Sequence, residues 1–137
     1  MSNTRPEAYC VGADQVLIVG GQIVHKPLGR ADAGRSIAAL SGRTHSLISA
    51  FCLARAGRAI GRDSDRASLK MRQLDQWAIE RYLDLAGPSV VSSVGAYQVE
   101  SVGLHLFEAI EGEHSTILGL PMLKFLAMLR REGLLAL

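Results

Sequence analysis

The sequence predicts an α/β fold, a single domain built on a mixed sheet. Three observations carry that prediction. Apolar, β-branched runs bounded by glycine turns alternate with amphipathic stretches at helical spacing. The order reads strand, strand, helix, strand, strand, helix, strand, helix. The 137 residues are 48% hydrophobic and 20% charged, which suffices for one core without disulfide staples.

Tyr9 to Val19 is apolar and β-branched with Asp14 and Gln15 inside it, and reads as a buried strand. Gly20-Gly21 signals a hairpin turn into a short strand, Gln22 to Val24. Asp32 to Leu40 fits a short helix closed by Ser41-Gly42. Thr44 to Ala54 reads as a long strand, and Arg55 to Arg58 as the turn to its partner, Ala59 to Met71. The charges of that partner (Arg62, Asp63, Asp65, Arg66) suggest a sheet edge. Asp75 caps a helix from Gln76 to Leu85, with Trp77, Tyr82 and Leu85 as anchors. Ser89 to Ser101 is a small-residue segment. Leu104 to Ile110 alternates as a strand, and Glu111-Gly112-Glu113 turns the chain. Pro121 opens the last helix, Arg130 and Arg131 suit its C-terminal dipole, and Gly133 ends it.

Several functions are set aside by what the sequence lacks. The most apolar segment, Ile117 to Leu129, is broken by Pro121 and Lys124 and falls short of a membrane span. The first residues carry no apolar signal core, so the expected setting is cytoplasmic, with no membrane partner. Cys10 and Cys52 sit in apolar runs and read as small buried hydrophobes. The four histidines share no metal-ligand spacing. A net charge of +2 is too mild for a nucleic-acid polymer, and the arginines at 55, 58, 62, 66 and 72 are interleaved with aspartates. Gly29 to Ser36 matches a phosphate-loop spacing with arginine in place of lysine, but no long strand precedes it, so it reads as a helix start. The stripe Met122, Phe125, Leu126, Leu129 reads as core, with a homodimer interface as the lesser option.

Gly12-Ala13-Asp14-Gln15-Val16 stands apart. An aspartate inside an apolar strand is costly to bury unless it is paired or bound. Small residues around it leave room for a ligand, and Lys26-Pro27 follows just past the hairpin. A carboxylate and a lysine brought together this way suit phosphate chemistry: one takes a proton from water or helps hold Mg²⁺, the other neutralises phosphate. A buried Asp–Lys pair with no ligand explains the spacing equally well.

Six stretches in order resemble the Maf family of nucleoside triphosphate pyrophosphatases. Gly12 to Val16 resembles its G-[AS]-D-[TQ]-V strand, and Lys26-Pro27 its G-K-P, with His25 for the glycine. Ser41-Gly42-Arg43-Thr44-His45 resembles S-G-R-T-H. Val94-Gly95-Ala96-Tyr97 with Glu100 resembles A-G-[AS]-[YF]-x-x-[QE]-G, with Val94 for alanine and Ser101 for glycine. Leu106-Phe107-Glu108 with Glu111-Gly112, then Leu118-Gly119-Leu120-Pro121, complete the set.

The resemblance implies a Maf/inosine-triphosphatase-like domain that cuts nucleoside triphosphates between the α and β phosphates. The products are a monophosphate and pyrophosphate, and a divalent cation (Mg²⁺ or Mn²⁺) is the cofactor. Asp14 matches the family's proton acceptor, Lys26 its phosphate-side lysine, and Gln15 and Glu100 positions linked to base selection. Gln15 and Glu100 are more similar to the branch acting on 7-methyl-GTP than to the dTTP/UTP branch. A carboxylate there can accept from guanine N–H groups and complement a 7-methylated ring. The family's opening strand, its S-x-S-x-x-R loop and the helices after it have no counterpart here. The resemblance therefore implies a domain lacking its N-terminal strand and helices. The alternative from another class is an inactive nucleotide-binding or interaction remnant.

Overall fold

The computed structural model describes residues 7–137. Five strands form one sheet: β1 Tyr9–Val19, β2 Gln22–Val24, β3 Thr44–Arg55, β4 Arg58–Met71 and β5 Phe107–Glu111. Their hydrogen-bonded order is β2-β1-β3-β4-β5. The helices are α1 Arg30–Leu40, α2 Gln76–Ala86, α3 His114–Leu118 and α4 Met122–Arg131. Three short 3₁₀ segments fill Gly87–Val91, Val94–Ala96 and Val102–Leu106. The α/β class is borne out. No described helix is long and apolar enough to cross a membrane.

The β1–β2 turn follows its dipeptide. Gly20 and Gly21 both take positive φ, +56° and +78°, as the tight hairpin turn matching strand twist requires. Leu17 then pairs with Val24 and Val19 with Gln22 in antiparallel register. This pairing covers only Leu17–Val19, so β1 ahead of Leu17 has no described strand on that side. β5 pairs antiparallel with the C-terminal part of β4, from Ser68 opposite Glu111 to Met71 opposite Phe107, so β4 is an edge only along its charged stretch ahead of Ser68, which has no described strand on that side. Side chains alternate in exposure along that charged stretch. Arg62, Ser64 and Arg66 are exposed, while Gly61, Asp63 and Asp65 are partly covered on the other face. The last strand starts at Phe107, later than its alternation suggested, since Leu104–Leu106 is 3₁₀.

The chain divides into two compact units, Met1–Gln15 with Ile48–Arg66 and Glu113–Leu137, and Val16–Leu47 with Ala67–Gly112. In the first, Phe51, Leu53 and Met128 form a buried cluster with Ile60, Leu120, Phe125, Leu129 and Leu134 against it. Phe51 and Phe125 meet edge-on, centroids 5.6 Å apart. A Cβ on Gly61 would lie 3.0 Å from Met128 Sδ, so α4 approaches β4 closely at that glycine. Of the stripe read from the sequence, Phe125, Leu126 and Leu129 are partly buried and Met122 is exposed; Met128 is the buried residue of α4. Cys10 and Cys52 are free thiols of intermediate exposure, not fully buried.

In the second unit α1 buries Ala33, Ile37 and Leu40, and α2 buries Ile79, Tyr82 and Leu83. Trp77 and Leu85 are 74% and 62% exposed, so two of the three anchors expected on α2 are not anchors. A large apolar residue reads as core in sequence, but the helix phase is set by Ile79 and Leu83. The Asp75 carboxylate accepts from Ala78 N–H at 2.8 Å and caps α2 as expected. Asp75→Ala should cost about 1 kcal/mol of stability, measured by urea denaturation.

Two of the Gly-rich stretches join in this unit's core. His45, on β3, is 1% exposed, and its Nε2 lies 2.6 Å from the Tyr97 hydroxyl. Phe107 packs against both rings. Burial pushes His45 down to about 4, and drives Tyr97 well above the usual phenol range. His45 Nδ1 is buried without a partner among the described residues.

Candidate active site

Alternation along β1 sends Asp14 and Gln15 to opposite faces. Asp14 lines an open groove of about 710 Å³ together with the small residues Gly12, Ala50 and Cys52, and with Arg62 and Asp63 from β4. Small residues on β1 and β3 make this space, and nothing lies within 4 Å of where a Gly12 Cβ would sit. Asp14 is exposed, which overturns the expectation of a buried carboxylate. The strand is apolar in composition, but its first six residues lie outside the core; burial begins at Leu17. The alternative of a buried Asp–Lys pair falls with it, since Lys26 is also exposed. Asp14 Oδ1 accepts from Gln15 N–H at 2.9 Å, which orients the carboxylate, and Oδ2 has no partner among the described residues.

Gln15 turns to the other face, against β3 and α3. Its Nε2 donates toward Ser49 Oγ at 3.0 Å, Thr116 O at 3.2 Å and Ile117 O at 2.9 Å. Ser49 Oγ donates to Thr116 O at 2.6 Å. Beyond it, Thr116 Oγ1 lies 2.7 Å from Asp65 Oδ2 and 3.2 Å from Glu113 Oε2. The Thr116 hydroxyl is the main reason the Asp65 carboxyl is held below the usual carboxylate range; Lys124 adds to it. The Lys124 ammonium donates to Ser64 O at 2.6 Å and sits 3.6 Å from Asp65 Oδ1. Glu113 caps α3, accepting from Thr116 N–H and from Ser115 Oγ.

Lys26 and Glu100 belong to the second unit. Lys26 is exposed ahead of Pro27, which is buried. Glu100 is exposed in a turn closed by Ser101 N–H donating to Gln98 O at 3.3 Å. Gly103 is required beneath it, because any Cβ there would strike the Gln98 backbone. Residues 29–36 are the N-terminus of α1, with Arg35 paired to Asp32 at 3.3 Å, as the helix reading of the phosphate-loop spacing expected. No group of three or more His, Cys, Asp or Glu among the described residues could hold a metal ion.

Sequence reasoning passed over Ser49, Thr116 and the whole of α3, and read Arg62 only as a strand-edge charge. A five-residue helix is too short to show periodicity. Its signals were the glycine at its end, Gly119 with φ +119°, and a side chain able to cap at Glu113.

The family profile described as Maf-like protein matches residues 1–132. The chain belongs to the Maf family. Among Maf relatives, a nucleoside triphosphate pyrophosphatase of Nitrobacter winogradskyi is 50% identical over 137 residues, all of this chain and 68% of that protein. A 7-methyl-GTP pyrophosphatase of Mesorhizobium japonicum is 47% identical over 133 residues, 97% of this chain and 67% of that protein. One of the same name from Brucella abortus is 47% identical over 132 residues, 96% and 66%. This Maf chain thus spans about two thirds of their length.

Proposed function

We propose that this chain carries the chemistry of a nucleoside triphosphate pyrophosphatase acting on 7-methyl-GTP. It hydrolyses the α–β phosphate bond to give a monophosphate and pyrophosphate. The observation that carries this is the setting of Asp14, an exposed carboxylate held by the next amide, with one oxygen free in a groove lined by small residues. Of two relatives about half identical, one is named a nucleoside triphosphate pyrophosphatase and the other a 7-methyl-GTP pyrophosphatase.

In this reading Asp14 Oδ2 takes the proton of the attacking water as its oxygen bonds to phosphorus and the bridging oxygen leaves with its electron pair. Lys26 neutralises phosphate charge. Gln15 and Glu100 meet the base. A nucleotide lying across the edge of β1 ahead of Leu17 would put phosphates on the Asp14 face and the base toward Gln15. A Mg²⁺ or Mn²⁺ bound with the triphosphate would be held on the protein side by the Asp14 carboxylate. When bound, such an ion supplies charge neutralisation on the phosphates. Free thiols at Cys10 and Cys52 accord with a cytoplasmic setting.

Pyrophosphate release from 7-methyl-GTP, GTP, dTTP and UTP tests the proposal. Fastest cleavage of 7-methyl-GTP is the expected result. Faster cleavage of dTTP or UTP overturns the base assignment, and no cleavage of any of them overturns the enzymatic reading of this chain.

A further inference from the structure

The Gln15 carboxamide has one orientation open to it. Two of its neighbours are backbone carbonyls, Thr116 O and Ile117 O, which can only accept. The third, Ser49 Oγ, has spent its proton on Thr116 O at 2.6 Å and offers Gln15 only a lone pair. All three partners therefore call for the NH₂ group, and Oε1 in its place would set acceptor against acceptor. Ser49 is the adjustable member, because a hydroxyl could serve as donor or acceptor and the short bond to Thr116 O decides which. It is fully buried on β3, so water cannot substitute for it without a rearrangement. Gln15 is only partly buried, and its Oε1 accepts no hydrogen bond from the described residues.

We propose that Ser49 is a positioning residue for base recognition. With the Thr116 and Ile117 carbonyls, it holds Gln15 with its amide nitrogen toward the protein, which leaves the amide oxygen without a partner among the described residues. The position then presents an acceptor alone, and it takes a base edge carrying a ring N–H or an amino group. The NH₂ group is committed to the protein and cannot read a lone pair. The recognition half of this inference rests on the proposed function; the orienting half does not.

Two measurements on the full chain separate the halves. In NMR, the two Gln15 carboxamide hydrogens should exchange slowly in the parent and faster in Ser49→Ala, where only the Thr116 and Ile117 carbonyls remain as acceptors. Unchanged protection overturns Ser49 as the orienting group. In kinetics, Ser49→Ala should raise KM for 7-methyl-GTP about tenfold, the worth of one lost hydrogen bond, while kcat changes less than twofold. In a Gln15→Met background, Ser49→Ala should add nothing further, which a merely packing role for Ser49 would not give. GTP methylated at N1 should lose nothing on Ser49→Ala if the ring N–H is the group read, and an amino group is read if it loses as much as GTP. Faster exchange with an unchanged KM in an active enzyme overturns recognition through Gln15. If the parent cleaves no nucleotide, the proposed function and the recognition half fall together, and the NMR result alone decides the orienting half.

Discussion

Asp14→Asn should lower the rate of pyrophosphate release by about 10²- to 10⁴-fold, the usual range for loss of a general base. Asparagine keeps an oxygen to accept from Gln15 N–H, so the 2.9 Å contact that fixes the side chain survives. What is lost is the ability of the free oxygen to take a proton. Because Asp14 is exposed in the groove, its replacement should shift folding stability by less than about 0.5 kcal/mol. The loss therefore belongs to kcat and not to the amount of folded protein. Initial rates and a urea titration on the same preparations check both parts. Equal rates in parent and variant would remove Asp14 from the chemistry.

The second large effect is acid sensitivity from His45. Burial lowers this imidazole from 6.5 to about 4 in the folded chain. The folded state therefore favours the neutral ring. The associated stability is fully present above pH 6.5, falls as pH drops from 6.5 toward 4, and is gone below about 4. A shift of that size corresponds to about 3 kcal/mol. His45→Gln keeps a side chain able to hydrogen bond with the Tyr97 hydroxyl but takes up no proton in this range. The variant should be less stable at pH 7.5 and lose less between pH 7 and 4. Urea titrations at half-unit intervals test this. Parallel curves for parent and variant would show that His45 titrates alike in the folded and unfolded chains and would overturn the lowered value.

Much of this architecture was legible along the chain. Gly20-Gly21 announced its turn because only a residue without Cβ accepts positive φ at low cost at both positions. Asp75 announced the start of α2 because its carboxylate can satisfy a free amide of the first turn. The long strands announced themselves by composition. The errors fell where composition and exposure part company. Asp14 reads as buried from its neighbours, yet the strand outruns the core at that end. Trp77 reads as an anchor, yet Ile79 and Leu83 set the phase of α2 and turn it to solvent. β4 reads as an edge throughout, yet β5 returns from a distance in sequence to pair with it from Ser68 onward.

The sequence by itself determined the family, the order of the strands and longer helices, and the candidate residues, because these rest on local patterns and on short motifs kept in order. The tertiary structure decided what those residues do to one another. It set the motif residues His45 and Tyr97 2.6 Å apart as core, left Asp14 open on small residues, and enclosed Gln15 with Ser49, Thr116 and Ile117. Gln15 meets Thr116 across 101 positions of sequence. A partnership that distant leaves no periodicity to read, and the direction of its hydrogen bonds is fixed only when donors and acceptors are brought face to face.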